Sequence, residues 1–238
     1  MDKNIVIIGS RGAIGNAFVE HYLKDSSVSN IFAFSRNKIN STHSKLTSFY
    51  IDIELEESVA AAAESINGHK IDIIITATGI LHSDRIKPEK SIKDINHESF
   101  MKIFSINAVG PALIGKYFIP LLKKDTKSVV AFLSARVGSI SDNKLGGWYS
   151  YRASKSALNQ IVKNFSIELK RTNPKAIVLA LQPGTVDSNL SEPFKRNVAK
   201  GTLFTPEKSR ELLLNVIENA TTSDSGNLLA YDGETISP

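Results

Sequence analysis

The chain contains no cysteine, which excludes disulfides and thiolate-bound metal ions and fits a reducing compartment. No metal site is expected. No apolar run approaches the ~18 residues that cross a bilayer, and the first residues, Met1-Asp2-Lys3-Asn4, run into a short apolar stretch without a signal-peptide layout. A soluble, cytoplasmic protein with no membrane partner is expected. Concentrated charge is missing too. There are 29 Lys+Arg against 24 Asp+Glu, a net +5, but the basic residues are scattered. The densest cluster, Lys195-Arg196 with Lys200, is broken by Asn197, Val198 and Ala199. Nucleic-acid binding needs a concentrated basic stripe, so these lysines and arginines read as solvated surface and no nucleic-acid partner is expected. Tandem repeats, low-complexity tracts and linkers are absent, so residues 1–238 read as one domain.

What is present is an alternation of short β-branched runs with helical patterns. Residues 4–9 (Asn-Ile-Val-Ile-Ile-Gly), 31–35, 49–51, 71–76, 128–134, 176–181 and 227–231 read as strands, and the apolar run at 71–76 signals burial on both faces. Helices are expected from Gly12 to about Lys24, over the alanine-dominated residues 58–66, and over 98–124, where Pro120 kinks or ends the run. A long helix follows from Trp148 to about Arg171, and another over 206–220, with Thr205 as its cap and Pro206 in its first turn. This order implies an α/β fold with a parallel, doubly wound sheet covered by helices on both faces. Residues 185–204 read as irregular and mobile, an insertion around 185–205 suited to substrate binding.

Gly9-Ser10-Arg11-Gly12-Ala13-Ile14-Gly15 lies between the first strand and the first helix. Glycines let the backbone turn sharply and approach a pyrophosphate, while helix N-terminal amides supply donors and positive dipole. In this context a dinucleotide site is favoured over a plain tight turn. A site for NAD usually carries an acid about 20 residues on, which bonds the ribose 2′-hydroxyl. Here that place holds Ser35 and then Arg36, with no carboxylate nearby, and Arg11 adds a second guanidinium. Two arginines and no acid suit a 2′-phosphate, so the expected cofactor is NADP(H).

The other informative stretch is the long helix. Stepping by three and four from Tyr151 gives Lys155, Leu158, Val162, Phe165 and Leu169, one row on one face. A lysine on a buried row is unusual, since an unpaired ammonium is costly to desolvate, although it can snorkel past the helix start. A phenol one turn before it offers a specific chemistry. A fixed ammonium nearby favours the phenolate, and the tyrosine then serves as a proton donor and acceptor near neutrality.

Seven marks stand in order along the chain: the glycine loop, Asp52-Ile53, Thr76-Ala77-Thr78-Gly79, Asn107, the serine region after the fifth strand, Tyr151-x-x-x-Lys155, and Pro183-Gly184-Thr185-Val186. By these the chain resembles the short-chain dehydrogenase/reductases over nearly its whole length, and closely the branch of small carbonyl reductases related to C-factor and sniffer. The resemblance implies a single-domain Rossmann-type sheet of about seven strands, ordered 3-2-1-4-5-6-7, with the cofactor across the strands' C-terminal ends. It implies Tyr151 as general acid/base, Lys155 binding the nicotinamide ribose and lowering the tyrosine's pKa, and Asn107 holding a water. Asp52 and Ile53 would flank the adenine, and Thr185 and Val186 the carboxamide. Ser35, Arg36, Ala77, Thr78, Gly79, Pro183 and Gly184 complete the expected cofactor site with the glycine loop. Asp52 reads equally well as an ordinary strand-end turn residue.

Two departures from the family pattern stand out. Threonines replace the usual asparagines around Ala77 and Gly79. The position three residues before Gly138, where the family's catalytic serine usually stands, is Ala135. Ser134 is the expected substrate-orienting hydroxyl, with Ser139 its competitor. The implied activity is NADPH-dependent reduction of a small aldehyde, ketone or quinone. The alternative is a protein of the same fold that binds NADP to signal or sense, with little turnover. Leu145, Trp148, Leu190 and Phe194 point to a partly apolar substrate pocket, and a homodimer or homotetramer is the expected assembly.

Overall fold

The computed structural model describes residues 2–197 and 201–238. Of the cluster of basic residues noted above, Lys200 with Val198 and Ala199 lies outside the described residues. Nine strands and six α-helices are described: β1 (Lys3–Ile8), α1 (Ala13–Lys24), β2 (Val28–Ser35), β3 (Leu46–Tyr50), α2 (Glu56–Glu64), β4 (Ile73–Thr76), α3 (His97–Phe104), α4 (Gly110–Phe118), β5 (Ser128–Leu133), α5 (Tyr149–Thr172), β6 (Ala176–Gln182), β7 (Thr185–Val186), β8 (Leu203–Phe204), α6 (Pro206–Asn219) and β9 (Leu228–Ala230).

Seven of these strands form one parallel sheet in the order β3-β2-β1-β4-β5-β6-β9. This is the expected order, with the last strand renumbered by two short strands that precede it. Successive residues of a strand face opposite sides, and β1 shows the result. Val6 and Ile8 join a core with Val59 of α2, Ile114 and Phe118 of α4, and Leu158 and Val162 of α5. Ile5 and Ile7 join a second core with Phe18 and Val19 of α1 and Leu213 and Ile217 of α6. Both faces are covered, which is why the strands read as unbroken apolar runs. The chain builds outward through β2 and β3, then returns to the other side of β1 as β4. That reversal opens a crevice at the carboxyl ends of β1 and β4, where doubly wound sheets bind ligands.

Two segments differ from expectation. The helix over 98–124 is a composite: α3 runs into a π-helical turn, Ser105–Val109, then α4, and ends in the 3-10 turn Ile119–Leu121 that contains Pro120. By length and composition His97–Leu121 is apolar enough to cross a membrane, which corrects the reading that no stretch approaches that length. It is nevertheless a core helix. Ile103, Ile114 and Phe118 are fully buried, and Gly115 lies so close to α5 that a Cβ there would come 2.2 Å from the Phe165 ring.

The second is the stretch 185–204. Its ends are regular, because β7 and β8 pair in parallel, Thr185 opposite Leu203 and Val186 opposite Phe204, and a 3-10 segment, Glu192–Asn197, lies between them.

Candidate active site

The row expected on α5 is buried except at Phe165, which is partly buried. Tyr151 is 6% exposed, Lys155 3%, Leu158 1% and Val162 0%. Tyr151 and Lys155 also line a cleft of about 1060 Å³ at the carboxyl end of the sheet, together with Arg11, Gly12, Ala13 and Ile14 of the glycine loop. One wall of the same cleft therefore carries the phenol and ammonium, and another carries the N-terminus of α1. Arg36, Ala77, Thr78, Gly79, Ser134 and the run Pro183, Gly184, Thr185 and Val186 complete the expected residues that reach it.

The glycine loop is shaped by close approach. Gly9 has φ +84°, and a Cβ there would lie 2.6 Å from the Ala77 carbonyl oxygen; a Cβ on Gly15 would lie 2.2 Å from that of Gly9. Neither position tolerates a side chain, so β1, β4 and α1 converge at this point. Gly12 N-caps α1 with no side-chain partner, and no acid occupies the first turn, which leaves the amides and helix dipole facing the cleft.

Other expected residues do not line this cleft. Ser10 is fully buried, its hydroxyl donating to the Phe34 carbonyl, and Ser35 donates to Asn37 O. Asp52 closes a turn, its carboxylate accepting from the Glu54 amide at 3.1 Å, and Ile53 packs beside Gly110 of α4. Asn107 sits in the π turn, fully buried. Its amide accepts from Ile80 N and donates to Ile80 O, both at 2.8 Å, and donates to Ser154 Oγ at 3.1 Å. Asn107 thus ties the segment after β4 to α5. A π turn inside an α-helix is a frequent companion of functional sites.

Burial governs the electrostatics. It pushes the Tyr151 phenol up to about 12 and the Lys155 ammonium down to about 8. In the chain alone, burial and not the Lys155 ammonium sets the direction at Tyr151. The ammonium lies 5.8 Å from the phenol ring centroid and donates to the Leu133 carbonyl at 2.9 Å, so desolvation outweighs its field at the hydroxyl.

Of the competing serines, Ser134 lines the cleft and donates to Asn159 Oδ1 at 2.7 Å. Ser139 is buried within its own loop, its hydroxyl accepting from the Asp142 amide at 3.1 Å. Ala135 is also on the cleft wall. The apolar side of the cleft contains Trp148, Leu190 and Phe194, with the Trp148 and Phe194 rings 5.0 Å apart. Leu145 does not belong with them; it is 91% exposed.

The polar wall fits a dinucleotide. Thr78 and Gln182 line the cleft, and the hydroxyl of one and the side-chain oxygen of the other are buried without a hydrogen-bond partner among the described residues, although such groups are normally satisfied. A smaller pocket of about 420 Å³ joins Arg11 to Lys38, Asn16 and Asn40. Lys38 was missed from sequence, although it stands two residues beyond Arg36. No group of three or more His, Cys, Asp or Glu able to hold a metal ion occurs among the described residues.

The model of the short chain dehydrogenase family matches residues 3–199. A 1-hydroxy-2-glutathionyl-2-methyl-3-butene dehydrogenase from Rhodococcus sp. (strain AD45) is 31% identical over 77% of this chain and 76% of its own length. The carbonyl reductase Sniffer of D. melanogaster superposes with a TM-score of 0.87 at 21% identity, covering 100% of both chains. An NADPH-bound carbonyl reductase from chicken fatty liver does so with a TM-score of 0.83 at 23% identity, covering 100% of this chain and 99% of its own.

Proposed function

Starting from the fact that this chain belongs to the short chain dehydrogenase family, and so to a family of oxidoreductases that use nicotinamide cofactors, we propose that it is an NADPH-dependent reductase of small aldehydes, ketones or quinones. The observation that carries the reading is the placement of Tyr151 and Lys155, one turn apart on a buried row, in the same cleft as the N-terminus of α1. Support for NADP over NAD comes from Arg11, Arg36 and Lys38, which gather cations where a 2′-phosphate would sit, with Ser35 in the place of an acid. The NADPH bound by the chicken carbonyl reductase agrees with it.

When bound, the cofactor supplies hydride to the carbonyl carbon. The chain's residues handle the proton and the geometry. Tyr151, protonated throughout the neutral range, donates its phenolic proton to the carbonyl oxygen as charge develops there. Lys155 donates one N–H to Leu133 O, which fixes the ammonium and leaves its remaining donors for the ribose and the developing phenolate. Thr78 and Gln182 offer their unpartnered oxygens to the cofactor, and Trp148, Leu190 and Phe194 exclude water from the carbonyl. We read the whole chain as one catalytic domain, cytoplasmic and assembled as a homodimer or homotetramer. Membership in an oxidoreductase family disfavours the sensing alternative.

Replacing Tyr151 by Phe tests the reading. Turnover of an aromatic aldehyde such as 4-nitrobenzaldehyde falls about a thousandfold, while NADPH affinity, measured by fluorescence titration, is retained. Unchanged turnover would refute the assignment.

A further inference from the structure

Glu89 lies in the long segment between β4 and α3 and is 1% exposed. It forms no ion pair among the described residues, which is unusual for a buried carboxyl group. Its partner is the beginning of α5. Both carboxyl oxygens lie 3.4 Å from the Ser150 amide, and the Glu89 carbonyl accepts from the Trp148 amide at 2.6 Å. The two contacts grip the chain on either side of Tyr149.

That grip falls where α5 has no support of its own. Its N-cap, Trp148, makes no side-chain cap, and no acid stands in the first turn. Trp148 is also left-handed, at φ 51° and ψ 44°, the only non-glycine residue with positive φ among those described, and it follows two glycines with φ +64° and +66°. A bulky side chain adopts that conformation only where its surroundings hold it. From there the indole packs edge-on against Tyr151, ring centroids 6.1 Å apart, and tilts against Phe194. The segment that carries Glu89 is itself pinned at Ile80 by Asn107.

We infer that Glu89 is a positioning residue. Its carboxyl group caps α5 from 61 residues away and, with its carbonyl on Trp148, holds the left-handed turn that sets Trp148 against Tyr151. The inference rests on Tyr151 being the proton donor. Glu89 does not line the cleft, so its loss acts through the placement of Tyr151 and Trp148.

Trp148 is the sole tryptophan of the chain, so its emission reports on this turn alone. In full-length protein assayed with NADPH and 4-nitrobenzaldehyde, Glu89→Ala lowers kcat by about tenfold to a hundredfold, the scale of a small misplacement of a reacting group. NADPH affinity is retained, and Trp148 emission shifts to longer wavelength with greater quenching by acrylamide. Glu89→Gln keeps an acceptor for the Ser150 amide and restores most of kcat and the native emission. Should the alanine variant prove unstable, Glu89→Asp, one methylene too short to reach Ser150, carries the same expectation. Wild-type kcat and emission in the alanine or aspartate variant would overturn the inference, as would a loss matched by an equal fall in NADPH affinity with unaltered emission. Tyr151→Phe in the same assay separates the two readings. If it retains turnover, the proposed function fails; if it is inactive while Glu89→Ala is not, only the positioning role fails.

Discussion

Ser134 donates its hydroxyl proton to Asn159 Oδ1, 2.7 Å away on the next turn of α5 after Lys155. A serine committed in this way reaches a substrate oxygen only by giving up that bond. Ser134→Ala should therefore lower kcat by about tenfold, less than the hundredfold or more of a preorganised oxyanion donor. Ala135, the next residue on the same wall, has extended backbone at φ −157° and ψ 150° and carries no hydroxyl. Ala135→Ser should raise kcat by adding a donor that is not already engaged. Ser139→Ala should leave kcat unchanged, because that hydroxyl accepts a loop amide. Steady-state kinetics of the three variants at saturating NADPH decides among them.

Lys155 is a buried cation whose pKa falls to about 8 from 10.5 through desolvation. Between those values the unfolded chain binds the extra proton and the folded chain does not, so stability rises with pH across that window. The destabilisation is fully present below pH 8. Lys155→Met should then abolish turnover while stabilising the fold near neutrality, by on the order of 1–2 kcal/mol. Its advantage over the native chain should shrink as pH rises from about 8 towards 10. Denaturant titrations of both proteins across this range test the sign; an advantage independent of pH would place the cost elsewhere than in the ammonium.

Arg36 and Lys38 follow the end of β2, and Arg11 reaches the same region from the glycine loop. Arg36→Asp should weaken NADPH binding by about tenfold to a hundredfold, the loss of a charge-assisted hydrogen bond, and affect NADH far less. Lys38→Ala should act in the same direction with a smaller effect, because a lysine contributes a point charge rather than a paired fork. Equal losses for the two dinucleotides would show that neither residue reads the phosphate.

The architecture was legible because burial on both faces leaves β-branched runs such as residues 73–76 almost without polar interruption, and because the inward row of α5 repeats without a break from Tyr151 to Leu169. Ends of elements were less legible. β2 begins three residues before its apolar run, since its register with β1 and β3 is set by neighbouring strands rather than by its own residues. The site divided in the same way. Residues whose role is to leave space, Gly9 and Gly15, or to stand on a helical row, Tyr151 and Lys155, announce themselves locally. Asn107's π turn and the left-handed Trp148 do not, because hydrogen-bond register and strain depend on distant partners, and Glu89 meets α5 across 61 residues. The direction of the Ser134 hydroxyl was equally out of reach, since it is set by Asn159 on another element.

The pairing of Thr185–Val186 with Leu203–Phe204 brings together the two ends of the stretch that carries Leu190 and Phe194. What lies between those strands is a cassette with a fixed hinge plate. Because its ends are held together, a change of length or residue between them would leave the register of the seven-stranded sheet untouched, which gives a protein engineer a way to reshape the cleft without rebuilding what lies beneath it.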